Sequence, residues 1–183
     1  MIEIKWLGRG GQGAFTAARL LGLSAALFEN KYALAFPSFG PERRGAPVEA
    51  FTKIDDQKIT DRSQSNTCDY LIVLDESLIH KDIFKDVKKD GKILINTAHV
   101  EKYQLYKDYK IKGIDATGIA LKVLKRPITN TAMLGALIGI SEIISLKAGI
   151  EGFKKGLSPS ILDKNIEVLQ RAFDCIKGGK RIE

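Results

Sequence analysis

Polar and apolar positions alternate over Glu3-Ile-Lys-Trp-Leu7 and then meet a cluster of glycines, the pattern of a strand that ends in a tight loop. Ala14–Glu29 follows, rich in Ala and Leu and free of proline. It predicts a helix that is apolar over most of its surface and so packed on a sheet. Phe36–Gly45 is punctuated by Pro37, Gly40, Pro41 and Gly45 and predicts a long loop of the kind that carries function. Val48–Ile54 alternates again. Asp55-Asp56-Gln57 then reads as a turn into Lys58-Ile-Thr60, which predicts a β-hairpin and a sheet that is mixed, not wholly parallel.

Asp69–Leu74 and Gly91–Asn96 are nearly continuous apolar runs, as expected of central strands covered by helices on two faces. Between them, Ser77–Lys89 has the length of a helix. Tyr109–Asp115 predicts a further strand, and Asn130–Leu146 and Pro159–Ile176 predict helices. The last is the clearest: Ser158 suits an N-cap, Pro159 the first helical position, and Leu162, Ile166, Leu169, Phe173 and Ile176 line one face. Strands alternating with helices predict an α/β fold, a three-layer α/β/α sandwich with a mixed, mostly parallel, Rossmann-like sheet. No internal repeat or linker divides the chain, so one domain over residues 1–183 is expected.

Composition narrows the function classes. The formal charge of +7 would suit nucleic acid, but the lysines are spread along the chain and those of Lys85–Lys92 and Lys102–Lys112 alternate with acids. They read as solvated faces, and no nucleic-acid partner is expected. Two cysteines, Cys68 and Cys175, cannot by themselves build a four-thiolate metal or iron–sulfur site and read as buried thiols. The most apolar stretch, Ala132–Ile150, is interrupted by Glu142 and Lys147 and is a poor membrane span. The N-terminus opens on a strand pattern, not a secretory leader, which makes a cytoplasmic location the expectation.

Gly8-Arg-Gly-Gly-Gln-Gly13 fits G-x-G-x-x-G in the setting that motif needs, after a strand and before a helix. Gly8, Gly10 and Gly13 let the backbone turn sharply and approach a ligand. The helix start then offers free N–H groups and about half a positive charge to an anion. Arg9 would add a charged fork, and Gly11 and Gln12 complete the loop. A dinucleotide site also wants an acid about 20 residues further on. Here Asn30-Lys-Tyr-Ala-Leu-Ala-Phe36 supplies none. Anion binding and simple close packing of helix on strand both remain open from the loop alone. Glu42, Arg43 and Arg44, held between prolines, suit contact with phosphates or with an acidic partner, or a Glu–Arg pair that fixes the loop. Asn130 and Thr131 stand at a helix start, where an N-cap is expected, and Gly135 and Gly139 would let that helix approach a neighbour closely. His80 and His99 have no metal-ligand companions.

The glycine loop does not stand alone. Together with Ala35-Phe-Pro-Ser-Phe-Gly-Pro-Glu-Arg-Arg-Gly-Ala-Pro47 and Asn130-Thr-Ala-Met-Leu-Gly-Ala136, in that order along nearly the whole chain, it resembles the gamma subunit of pyruvate and related 2-oxoacid:ferredoxin oxidoreductases. Asn96-Thr97 and Asp115-Ala-Thr-Gly-Ile-Ala120 are similar to that family as well. The resemblance implies an enzyme complex that decarboxylates a 2-oxoacid on thiamine diphosphate with Mg, passes single electrons through 4Fe–4S clusters to ferredoxin, and transfers the acyl group to coenzyme A. It implies alpha, beta and delta-type partner subunits that hold the thiamine and the clusters. For this chain it implies a domain that packs against the thiamine-binding subunits and supports assembly, with no catalytic residue of its own; the residue chemistry makes Gly8–Gly13, Glu42–Arg44 and Asn130–Thr131 the expected cofactor contacts.

Glu42-Arg43 with Gly45-Ala-Pro47 is similar to the pyruvate branch, while a gamma-type subunit for 2-oxoglutarate or branched-chain substrates is the alternative. A stand-alone nucleotide-dependent dehydrogenase and a non-catalytic binding module are the readings from other classes. The first requires that the chain itself bind NAD or NADP. The second requires partners without thiamine or iron–sulfur clusters.

Overall fold

The computed structural model describes residues 1–38, 45–64, 66–80 and 82–178. Glu42, Arg43 and Arg44 lie outside the described residues. Among the described residues, six strands form one sheet: β1 (Ile2–Arg9), β2 (Tyr32–Pro37), β3 (Pro47–Asp55), β4 (Cys68–Val73), β5 (Val87–Asn96) and β6 (Lys110–Ile114). Their order across the sheet is β2-β3-β1-β4-β5-β6. β1, β4, β5 and β6 run parallel, whereas β3 is antiparallel to both β1 and β2.

The sheet is mixed, as the sequence predicts, but not for the predicted reason. Lys58–Thr60 is not a strand. The antiparallel partners of β3 come from earlier in the chain, with Trp6 opposite Ala50 and Phe36 opposite Phe51. These distant partners occupy both edges of β3, so a local hairpin has no edge left to join. β2 has no counterpart among the expected elements, and only its last two residues, Phe36 and Pro37, fall in the expected loop. Its alanines, Ala33 and Ala35, face Gly22 of the first helix, so close packing replaces the bulky side chains that normally mark a strand.

The described residues also form five α-helices: α1 (Ala14–Phe28), α2 (Ala116–Leu124), α3 (Asn130–Ser141), α4 (Leu146–Gly156) and α5 (Pro159–Gly178). α1 and α5 match the predicted spans, and α5 packs through Leu162, Ile166, Leu169, Phe173 and Ile176 as its stripe predicts. The helix expected over Asn130–Leu146 stops at Ser141, and α4, which the sequence pattern does not signal, begins at Leu146. Glu142 takes the left-handed conformation (φ 56°) and ends α3, and Ser145 then caps α4 by accepting from the Ala148 N–H at 3.1 Å.

All five helices share one apolar core with one face of the sheet, through Ile4, Trp6, Ala50, Ile54, Ile72 and Leu94. The opposite face is covered differently. Ser77–Lys89 forms the 3₁₀ turns Glu76–Leu78 and Ile83–Asp86 and the start of β5, not an α-helix. Its apolar residues Leu78, Ile79, Ile83 and Phe84 pack directly onto Leu71, Val73, Ile93 and Ile95, and that packing overrides the helical propensity of the segment. The third layer is therefore made of turns.

Candidate functional site

β1 and β4 lie side by side and parallel, yet the chain leaves them toward opposite faces of the sheet: from β1 through α1 on the helical face, from β4 through the 3₁₀ turns on the other. Such a divergence opens a crevice at the carboxyl ends of the strands, the place where open α/β sheets bind ligands. The glycine loop forms one wall and Leu74–Ser77 the other.

The loop is held by a dense set of bonds. Gly10 donates to the Ala46 carbonyl (2.8 Å) and accepts from the Gly45 N–H (3.2 Å), which extends the β1–β3 ladder past the strand ends. Gln12 closes the turn: its N–H donates to the Arg9 carbonyl at 2.9 Å, and its Oε1 accepts from the Arg9 N–H at 2.7 Å. Gly11 and Gly13 have φ of 93° and 81°, the left-handed region where a side chain is strained. At Gly13 there is also no room, since a Cβ would stand 2.5 Å from the Asn130 Nδ2.

Arg9 reaches across the crevice. Its Nε donates to Asp75 Oδ2 (3.2 Å), Nη1 to the Gly45 carbonyl (2.9 Å) and Nη2 to Ser77 Oγ (2.9 Å). One arginine thus ties together the glycine loop, the end of the proline-rich segment and the end of β4. Burial of Asp75 works against its ionisation, but hydrogen bonds from Ser77 and Gln12 and the Arg9 charge outweigh that and hold its carboxyl below the usual range.

Two helix starts converge here without side-chain caps. Gly13 occupies the N-cap position of α1 and offers no side chain. The N-cap of α3 is Thr129, which makes no capping bond, so Asn130 is the first helical residue and not the cap that the sequence suggests. The first-turn amides of both helices have no intrahelical acceptor, and both helix dipoles present their positive ends. Asn130 is 6% exposed, and its Oδ1 is buried with no hydrogen-bond partner among the described residues. Thr131 turns away and donates through Oγ1 to Asn165 Oδ1 at 2.8 Å, which fixes the start of α3 against α5.

α3 and α5 run parallel and in close contact, as the two glycines of α3 allow: a Cβ on Gly135 would lie 2.2 Å from the Leu169 carbonyl oxygen. Beside their paired starts is a cleft of about 390 Å³ lined by Thr16, Leu20, Arg126, Ile128, Asn130, Lys164 and Asn165 among others. A hollow of similar size, about 420 Å³, sits at Ile2, Asp69, Tyr70 and Lys88. It lies at the wrong end of the strands for an α/β ligand site, and Lys88 there is paired with Glu3 and Asp69.

The structure thus brings Gly8–Gly13 and Asn130 together and places Thr131 one step behind them. Asp75 and Ser77 join the same cluster from more than sixty positions along the chain, as the Arg9–Asp75 and Arg9–Ser77 bonds show, and no local pattern marks them. The described residues contain no group of three or more His, Cys, Asp or Glu side chains able to hold a metal ion. Cys68 is buried, and desolvation pushes its thiol up to about 12, so it is a poor thiolate ligand. A dinucleotide fold places its ribose-binding acid at the end of a parallel strand beside β1; here the strand on that side is the antiparallel β3.

Comparison with known proteins agrees with this architecture over nearly the whole chain. Residues 3–175 match the family model for pyruvate ferredoxin/flavodoxin oxidoreductase. The chain is 48% identical to the pyruvate synthase subunit PorC of Methanothermobacter marburgensis, over 97% of this chain and 98% of that one. It is 45% identical to the common gamma subunit of the pyruvate/ketoisovalerate oxidoreductases of Thermococcus kodakarensis, over 95% and 96%. Among solved structures, the pyruvate oxidoreductase subunit PORC of Thermotoga maritima superposes with a TM-score of 0.83 at 37% identity, covering 94% of this chain and 95% of that one.

Proposed function

The chain belongs to the pyruvate ferredoxin/flavodoxin oxidoreductase family, and from that membership we propose that it is the gamma-type subunit of a complex converting pyruvate, coenzyme A and oxidised ferredoxin to acetyl-CoA, CO2 and reduced ferredoxin. The observation that carries this reading is the full-length 48% identity to a pyruvate synthase subunit. Alpha, beta and delta-type subunits are the partners, located with this chain in the cytoplasm. They hold thiamine diphosphate, Mg and the 4Fe–4S clusters.

The part left to this chain is binding and assembly. The crevice suits the anionic portion of coenzyme A: two uncapped helix starts, the glycine backbone and the Asn130 Oδ1, which has no partner among the described residues, supply donors and one acceptor with little rearrangement. Choice of 2-oxoacid belongs mainly to the partners. The Thermococcus kodakarensis relative is described as common to pyruvate and ketoisovalerate oxidoreductases, so one gamma chain there accompanies two substrates.

The test is affinity isolation of the tagged chain under anaerobic conditions from its own host. The expected product is a brown complex that contains thiamine diphosphate and oxidises pyruvate only when coenzyme A is present. Oxoacid-dependent electron transfer by the isolated chain, or recovery of a colourless chain that binds NAD, would overturn the assignment.

A further inference from the structure

Asp75 carries more of the crevice than any other side chain in it. Oδ2 accepts from Arg9 Nε (3.2 Å) and from Gln12 Nε2 (3.0 Å), while Oδ1 accepts from the Ser77 N–H (3.0 Å) and Ser77 Oγ (2.5 Å). A carboxylate is an acceptor at both oxygens, and here both are used twice. Its anchor is firm. The residue before it, Leu74, donates its N–H to the Leu7 carbonyl at 2.8 Å and accepts from Asn96 Nδ2 at 2.9 Å, so the end of β4 is pinned from both sides.

The consequence passes through Gln12. A side-chain amide has one donor end and one acceptor end. With Nε2 held by Asp75, Oε1 must point to the Arg9 N–H, and it does, at 2.7 Å. Asp75 thereby sets the orientation of the amide that closes the glycine loop, and through Nε it sets the plane of the Arg9 guanidinium.

We propose that Asp75 is a positioning residue for the anionic cosubstrate, holding Arg9 and Gln12 so that the glycine loop and the start of α1 are preorganised before that ligand arrives. The proposal rests on the reading that this crevice binds the anionic part of coenzyme A. It also makes a prediction of opposite sign to simple electrostatics. As a bystander charge, a carboxylate beside an anion site repels the ligand, and its removal would tighten binding. As a positioning residue, its removal weakens binding.

The experiment uses the assembled complex with Asp75→Ala, Asp75→Asn, Gln12→Met and the double variant Asp75→Ala/Gln12→Met. KM for coenzyme A, KM for pyruvate and kcat are measured per assembled complex, together with amide hydrogen exchange at residues 8–17 with and without coenzyme A. Asp75→Ala is expected to raise KM for coenzyme A about tenfold and to leave KM for pyruvate within about twofold. Asp75→Asn should fall between it and the parent, and the double variant should be no worse than the more affected single variant. A purely structural role would lower the yield of complex without splitting the two KM values. If coenzyme A protects the loop amides but Asp75→Ala leaves its KM unchanged or lower, the positioning role is wrong and the site reading survives. If coenzyme A gives no protection at residues 8–17 in the parent complex, the site reading fails and the positioning role with it.

Discussion

On one face of the sheet, five helices bury a continuous apolar core in which Trp6, Leu20, Leu21, Leu94, Leu134 and Phe153 are all but inaccessible. On the other, the strands from β3 to β4 carry a lattice of charge. Lys53, 1% exposed, reaches Asp61 at 2.7 Å and Glu3 at 3.5 Å, and Lys5 reaches Glu49 at 2.8 Å and Asp86 at 2.9 Å. Among the described residues, apolar cover on this face is the smaller cluster around Phe84 and the stacked pair Phe36–Phe51. The helical face gains its stability from area removed from water and tolerates no change of volume. The ionic face balances the desolvation of lysines against partners that are themselves half in water, and should respond to pH and salt more than to shape.

The largest effect expected of that contrast tests whether the turn-covered face has a true core at all. Phe84 is fully buried and meets Tyr106 edge-on, with ring centroids 4.9 Å apart. Phe84→Ala should cost about 3–5 kcal/mol in urea unfolding, the usual range for a buried aromatic. A loss below about 1 kcal/mol would mean that the 3₁₀ turns are a lid, and that the ionic lattice alone holds this face.

A smaller loss, from a smaller change, is expected on the helical face. In an exposed helix, Gly→Ala stabilises by about 1 kcal/mol. At Gly135 the new Cβ would stand 2.2 Å from the Leu169 carbonyl oxygen, an atom of the α5 backbone that no rotamer change can move aside. Overpacking should win, and Gly135→Ala should destabilise by about 1–3 kcal/mol. The same substitution would shift α3 relative to α5 and with it the start of α3 beside the glycine loop. A gain in stability would show that the two helices are not locked together.

The contrast between faces also explains what could be read in the chain. α1, α5 and the strands β1, β4 and β6 emerge near their true limits, and β5 near its end, because each is a local apolar pattern feeding a core. The elements that escape notice lack such a pattern. β2 is an Ala-rich strand packed on Gly22, and the end of α3 depends on Glu142 entering the left-handed region without a glycine or proline to announce it. The hairpin fails because β3 finds its partners more than a dozen residues away. The same holds for the candidate site. The glycine loop declares itself by spacing and context, and Asn130 by the family motif that contains it. Asp75 and Ser77 reach Arg9 only through the register of β1 on β4, a product of the folded sheet.

The smallest effect belongs to the ionic face and is read against pH. The hydrogen bond from Lys53, followed by those from Ser63, holds the Asp61 carboxyl well below its usual range. A depressed folded-state value means that ionised Asp61 favours the folded chain above its unfolded value near pH 4, and that this contribution is lost as pH falls through the folded value. Lys53→Met keeps the aliphatic stem and removes the charge. Because Asp61 is about half exposed at 53%, its own desolvation is small and the loss at pH 7 should be modest, well under that of Phe84→Ala. The sharper expectation is in the slope. Between pH 4 and pH 2 the parent should lose stability faster than Lys53→Met, so that the two unfolding midpoints converge as the pH falls. Midpoints that stay equally far apart down to pH 2 would show that Lys53 contributes through packing of its stem and not through Asp61, and the second face would then differ from the first in composition but not in kind.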